Sequence, residues 1–149
     1  MNELEVASRK YFPHSTSMHK DPRLLEVRKS FGNDAYVIYC TMKELMMESP
    51  SGMLNLKHRD MHYIYARACF AVDRVSVQQL NRFRMVINQL TKVGIFEREK
   101  WVGEKLLVEP EVIGQLMRLD KRRTQYKDSK RVARVKKRIQ KYSNVKSIT

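Results

Sequence analysis

The stretch "SVQQLNRFRMVINQLTKVGIF", residues 76–96, contains one helix with a clear signal at each end. Ser76 is of a residue type that caps helix N-termini, and Gly94 is of the type that ends helices. Between these signals, apolar residues recur at the spacing of one helical face. They are Val77, Leu80, Phe83, Ile87 and Leu90. The stretch therefore predicts an amphipathic helix over residues 77–93 that turns this face toward a core.

The segment that follows, residues 95–109, is apolar at both ends and charged in the middle. Its ends, Ile95–Phe96 and Leu106–Val108, flank a polar stretch that contains Gly103. This pattern is typical of a two-stranded hairpin with a polar tip, and Trp101 would then lie near the tip.

Three helices and a short strand are predicted upstream. The first helix begins with Asp21 as N-cap and Pro22 at its first position, and it ends at Gly32. The second helix follows at once and ends before the turn "SPSG", residues 49–52. A short strand is predicted at residues 53–56 and a third helix at residues 58–70.

Apolar spacing also predicts which faces of these helices are inward. For the second helix the set is Val37, Ile38, Met42, Leu45 and Met46, and for the third it is Met61, Ile64, Tyr65 and Ala68.

The order of these elements favours a mainly α fold with a small antiparallel sheet, namely a winged helix-turn-helix with a basic C-terminal extension. Residues 77–93 would be its recognition helix and the hairpin its wing, although the same order also suits another α+β domain. We divide the chain into an N-terminal arm (1–20), a winged-helix domain (21–117) and a helical or disordered basic tail (118–149).

Charge is distributed very unevenly along the chain, whose net charge is +14. Residues 118–149 hold thirteen Lys or Arg and two Asp, a net charge of +11, which leaves +3 for residues 1–117. A segment this basic favours a polyanionic partner, with nucleic acid ahead of an anionic membrane. It lacks a consistent bulky apolar face, which weakens the membrane interpretation.

Candidate DNA contacts lie in three places. The outward face of helix 77–93 carries amide and basic side chains and no acid, and such side chains pair with base edges in the major groove. Basic residues at the hairpin tip are accompanied by three glutamates, so a solvated or packed turn is favoured there over a DNA-contacting wing. The tail would hold phosphates, with a strong dependence on salt. The candidates are Gln78, Asn81, Arg82, Met85 and Lys92 on the helix, Lys100 and Lys105 at the tip, and Arg122, Arg123, Lys130, Arg131, Arg134, Lys137 and Arg138 in the tail.

Other kinds of site find little support. His58 and His62 have the i, i+4 spacing of a metal pair, but no further ligand pattern accompanies them, and the same holds for His14 and His19. No phosphate-cradling or catalytic motif occurs, so we expect neither an enzyme nor a cofactor. Cys40 and Cys69 are expected to be buried free thiols of a cytoplasmic protein. No apolar run reaches the length of about 18 residues that a membrane span needs.

Residues 11–54 resemble the N-terminal domain of phage replisome organisers and DnaD-like replication proteins. The resemblance rests on Tyr11, Phe12, His14, Asp21, Arg23, Leu24, Phe31, Gly32, Ala35, Tyr36, Ile38, Tyr39, Gly52 and Leu54, and on "VGIFE", residues 93–97. It implies a winged-helix scaffold and a role in replication initiation, with a replicative helicase or its loader as a protein partner.

Together these features predict a non-catalytic protein that binds double-stranded DNA in the replication of a phage, plasmid or mobile element. A transcriptional regulator or an excision or recombination factor on the same scaffold is an alternative. A module that docks on the replication machinery, through Trp101 or the methionines 42, 46 and 47, is another. Whether the protein forms a homo-oligomer is left open.

Overall fold

A computed structural model describes residues 18–148 of the chain, with side chains to Ser143. Most of the predicted N-terminal arm, including Tyr11, Phe12 and His14, lies outside the described residues. The chain contains six α-helices and two short strands over the described range. A 3-10 turn, Met18–Lys20, precedes α1 (Pro22–Phe31), α2 (Asn33–Glu48), β1 (Leu54–Asn55), α3 (Arg59–Phe70), α4 (Val77–Lys92), α5 (Arg98–Glu104), β2 (Leu106–Leu107) and α6 (Pro110–Ile148).

The predicted starts of α1 and α4 are confirmed by their capping contacts. The Asp21 carboxylate accepts a hydrogen bond of 2.9 Å from the backbone N–H of Arg23, and Pro22 follows directly. At α4, Ser76 Oγ accepts from the backbone N–H of Gln79, whose side chain accepts from the N–H of Ser76. Such a reciprocal capping box satisfies two backbone donors that the helix itself leaves unpaired.

Helices α1 to α4 pack around one core. From α4, the residues Leu80, Phe83, Val86, Ile87 and Leu90 are all buried, as the apolar spacing predicted for four of them. From α2, the side chains of Met42, Met46 and Met47 are almost completely buried. Burial of each such side chain contributes about 1.5–3 kcal/mol, and it removes these methionines as a docking surface.

The inward face predicted for the third helix is wrong. Ile64 is 43% exposed and Ala68 is exposed, whereas Ala66 and Cys69 are buried. Helix α3 packs against both α2 and α4. Its buried side chains are the smaller Ala66 and Cys69, which allow closer packing than Ile64 would. In the same way Val77, in the first turn of α4, is 75% exposed.

The hairpin predicted over residues 95–109 is wrong in its central part. Residues Arg98–Glu104 form α5, and β2 pairs antiparallel with β1, with Leu54 opposite Leu107. The backbone N–H of Glu97 donates to the carbonyl of Val108 at 2.8 Å, so the segment still closes on itself. A helix occupies the position of the expected wing, and a winged helix is not confirmed.

Trp101 explains why this segment is helical. Its ring is 7% exposed, and its Nε1–H donates to Asn88 Oδ1 on α4 at 3.1 Å. The first turn of α5 brings the indole back onto α4. At a polar hairpin tip the indole would lie in solvent. Lys105, with a left-handed φ of 53°, then ends α5. Because Trp101 is buried, it does not offer a partner the exposed aromatic surface considered above.

The basic tail continues the last helix, as the sequence allowed. Residues up to Ile113 belong to a first compact unit, and residues from Gly114 form a second unit that is a single stretch of α6. Cys69 is buried and Cys40 half-buried, both as free thiols. No helix within residues 18–148 is both long and apolar enough to cross a membrane.

Candidate nucleic-acid interface

The exposed face of α4 is a polar stripe without acids. Asn81, Met85, Asn88 and Lys92 are exposed at the spacing i, i+4, i+7 and i+11, and Gln78 is exposed one turn before them. No Asp or Glu occurs between Val77 and Lys92. The stripe therefore presents amide groups and a positive charge along about four helical turns.

Arg82 is engaged within the domain. Its Nε donates to Asp34 Oδ2 at 2.7 Å, one of its terminal nitrogens donates to the carbonyl of Phe31, and its guanidinium lies 5.9 Å from the centre of the Phe31 ring. These contacts tie α4 to the junction of α1 and α2. Arg82 would have to break these contacts in order to reach a base. Our proposal below therefore treats Arg82 as a packing residue and not as a DNA contact.

Lys100 and Lys105 lie on or next to α5 instead of at a hairpin tip. Lys100 Nζ is 4.0 Å from the carboxylate of Glu104, one turn further along the helix. Lys105 Nζ lies 4.8 Å from the centre of the Trp101 ring. Among residues 18–148, Lys105 forms no ion pair with a carboxylate, whereas Lys100 does. The Lys105 ammonium lies against the indole in a cation–π contact.

The second unit carries the remaining predicted residues on a single helix. All residues from Thr124 to Ser143 are exposed. Lys130 Nζ lies 4.8 Å from the centre of the Tyr126 ring, and Arg123 NH1 is 4.0 Å from Asp120. The exposed candidates are Arg122, Lys130, Arg131, Arg134, Lys137 and Arg138. The unit thus offers cations around a helix with few acids to neutralise them.

Sequence reasoning missed a cleft beside α4. It has a volume of about 220 Å³, and its lining includes the basic or imidazole side chains of Lys57, His62, Arg84 and Lys105. These residues come from four separate segments, so no local spacing could reveal them. The one sequence feature that pointed toward the cleft was Arg84, a basic residue in the acid-free helix.

A buried polar network was also missed. Tyr39 Oη donates to Glu109 Oε1 at 2.6 Å, and Lys43 Nζ lies 3.9 Å from Glu109 and 3.3 Å from Glu111. Burial raises the pKa of Glu109 to about 7, against the opposing effects of Tyr39 and Lys43. Tyr39, Lys43 and Glu109 are at most 3% exposed. The network joins α2 to the start of α6.

The described histidines, His19, His58 and His62, lie apart from other groups that could bind a metal ion. No group of three or more His, Cys, Asp or Glu suited to a metal occurs between residues 18 and 148. His58 and His19 are exposed, His62 contacts a backbone carbonyl and Arg84, and Asp21 caps α1. His14 lies outside the described residues.

Comparison with known proteins identifies the first unit. No curated protein and no solved structure matches the chain. A family model described as Lin1244/Lin1753-like, N-terminal, matches residues 11–111, which include α1 to α5 and both strands and end at the start of α6. That match covers more than half of the chain. The chain therefore belongs to the Lin1244/Lin1753-like, N-terminal family.

Proposed function

We propose that this is a non-catalytic protein that binds duplex DNA, with the exposed stripe of α4 at the bases and the cations of α6 on phosphates. The observation that carries the proposal is the acid-free polar stripe of α4, in a chain whose last 32 residues have a net charge of +11. An α-helix fits the major groove of B-form DNA, and Asn and Gln pair with adenine edges there.

In this proposal the residues of α4 have different tasks. Gln78 and Asn81 are exposed near the N-terminal end of the helix and supply paired donors and acceptors. Met85 is 55% exposed and supplies an apolar contact for a thymine methyl group. Lys92, at the last position, is suited to a phosphate.

The second unit supplies most of the affinity in this proposal. Phosphate contacts fix the position of a protein on DNA and carry little sequence information, whereas base contacts provide specificity. The exposed cations of α6 would therefore bind many duplexes with similar strength, and α4 would select among them.

The biological process that we propose is replication initiation. It is supported by the resemblance of residues 11–54 to replisome organisers. In this proposal α4 acts as the recognition helix of a winged helix does, even though a helix replaces the wing. A regulator or an excision factor would use the same surface. A binding-site selection with the intact protein distinguishes these sequence-specific roles from an architectural role. A repeated half-site among the selected sequences would favour an origin binder or a regulator.

Duplex binding is tested by fluorescence anisotropy across a salt series from about 50 to 200 mM. We expect the doubly substituted Arg134→Gln/Arg138→Gln protein to bind more weakly. Its slope of log affinity against log salt should be smaller by about 1.8, which is roughly 0.9 for each lost phosphate contact.

A variant with the same loss of charge, Lys29→Gln/Arg67→Gln, is the control, because both residues are exposed on α1 and α3 of the first unit. Equal slopes for the two variants would show that the tail acts only through net charge. No binding by the intact protein at the lowest salt would refute the proposal.

A further inference from the structure

The cleft beside α4 combines a positive lining with an aromatic floor. Its apolar part is formed by Leu56, Phe83, Ile87 and Trp101, and Asn88 joins it to the exposed stripe of α4. Phe83, Ile87 and Leu56 are buried, so the floor is part of the domain core and is rigidly placed.

Arg84 is oriented in this cleft by His62. Arg84 Nε donates to His62 Nδ1 at 3.3 Å, and the other ring nitrogen, Nε2, lies 2.7 Å from the carbonyl of Leu56. A carbonyl only accepts and a guanidinium only donates, so the neutral imidazole carries its proton on Nε2. Burial, together with Arg84 and Lys105, lowers the pKa of His62 and thereby favours this neutral form, although the contact with Leu56 acts in the opposite direction.

The contact with His62 occupies Nε of Arg84, and its two terminal nitrogens make no hydrogen bond to another residue of the described range. Within residues 18–148 no carboxylate forms an ion pair with Arg84, Lys57 or Lys105. Glu104 lines an adjoining groove but is paired with Lys100. Within the described part of the chain, three cations thus share one cleft without an ion-paired carboxylate, an arrangement that an anion would stabilise.

We propose that the cleft binds a phosphate group, held by the terminal nitrogens of Arg84 and the ammonium groups of Lys57 and Lys105. The planar guanidinium suits two oxygens of one phosphate, and the ammonium groups act as point charges. Because Asn88 belongs both to the cleft and to the exposed stripe of α4, a duplex lying along α4 would place a backbone phosphate here. This assignment of the source rests on the proposed function, whereas the phosphate site itself does not.

The single tryptophan of the chain reports on the site. Trp101 lines the cleft, and Lys105 lies against its ring, so an anion that moves Lys105 changes the indole fluorescence. The intact protein is titrated in two arms, one with a short duplex and one with inorganic phosphate against chloride at equal ionic strength. The variants are Arg84→Gln and the exposed, loop-borne Lys57→Gln, with Arg67→Gln as the control outside the cleft.

In the duplex arm we expect a fluorescence change in the native and Arg67→Gln proteins. Arg84→Gln should lose it and bind roughly tenfold more weakly, and the salt slope should fall by about 0.9 for either cleft variant. A fluorescence response to inorganic phosphate alone that Arg84→Gln abolishes would support the site but assign it to a small phosphate ligand. The proposed function would fail only if the intact protein also showed no duplex binding by anisotropy.

If both cleft variants behave like Arg67→Gln in both arms, the phosphate site is refuted, whether or not the protein binds DNA. Thermal unfolding followed by circular dichroism identifies a variant that has lost its fold. Lys57→Gln, on the surface, then still decides the outcome.

Discussion

Glu109 is a buried carboxyl group whose protonation depends on folding. Its neighbours are Tyr39 and Lys43 on α2, Glu111 on α6 and, further away, Arg23 on α1. Its pKa of about 7 in the folded protein exceeds the ordinary value of 4.5, so the folded protein holds a proton that the unfolded chain releases. The stabilisation from this group is complete below pH 4.5 and is lost as the pH rises through about 7.

We expect Glu109→Gln to remove this pH dependence, because glutamine keeps an acceptor for Tyr39 and does not titrate. The free energy of unfolding of the native protein should fall relative to the variant, by up to about 1.4 kcal/mol per pH unit between the two pKa values. Urea unfolding of both proteins at several pH values measures this difference, and groups common to both cancel. Parallel pH profiles would contradict the assignment.

Arg82 contacts Asp34 and Phe31 within the domain, so our proposal gives it a packing role. We expect Arg82→Ala to lower the free energy of unfolding by about 1 kcal/mol, because its ion pair with Asp34 is partly exposed and its bond to Phe31 is a single contact. Duplex affinity should change less than for Asn81→Ala. Urea unfolding measures the stability of both variants, and anisotropy measures their affinity for duplex DNA. If Arg82→Ala lost affinity without losing stability, Arg82 would be a DNA contact after all.

At the scale of elements, the sequence predicted the positions of α1, α2, β1 and α4 well because their signals are local. The inward face predicted for α2 is wrong at Val37, which is 48% exposed. Caps such as Asp21 and Ser76 act within three residues, and the apolar spacing of α4 is strong. The errors at α3 and α5 have a different origin. The buried face of α3 is determined by the helices that pack against it. Helix α5 forms because Trp101 donates a hydrogen bond to Asn88, thirteen residues earlier in the chain.

The candidate site also has a part that the sequence predicts and a part that it does not. The acid-free stripe of α4 and the basic tail can be read from the sequence, since each lies within one helix. The cleft could not be predicted, because Lys57, His62, Arg84 and Lys105 meet only after folding.

Trp101 is expected to be the residue that holds α5 in place. Trp101→Ala should cost about 3–5 kcal/mol, as other truncations of large buried aromatic residues do. The neighbouring Val102, 74% exposed, provides the control, and Val102→Ala should change stability by less than about 0.5 kcal/mol. Unfolding is followed by circular dichroism, since the fluorophore is removed. Similar losses for both variants would mean that α5 does not depend on the indole.

At the scale of the whole molecule, the family match and most of the net positive charge lie in different parts of the chain. The family match ends at residue 111, and the strongly basic segment from Arg118 onward lies beyond it. The family unit contains the α4 stripe and the cleft, while the second unit contains thirteen of the thirty Lys and Arg residues. In our account the second unit brings the protein to DNA, and the first unit determines where it stays.

The most direct test of this account places one negative charge on the α4 stripe. Asn81→Asp changes only one group of an exposed side chain, and Ala68→Glu adds the same charge to the exposed side of α3. Affinity for duplex DNA is measured at one low salt concentration for these two variants and the native protein. The account predicts that Asn81→Asp binds at least roughly tenfold more weakly than Ala68→Glu, because an acid facing DNA is repelled at close range. Equal affinities of the two variants would contradict it.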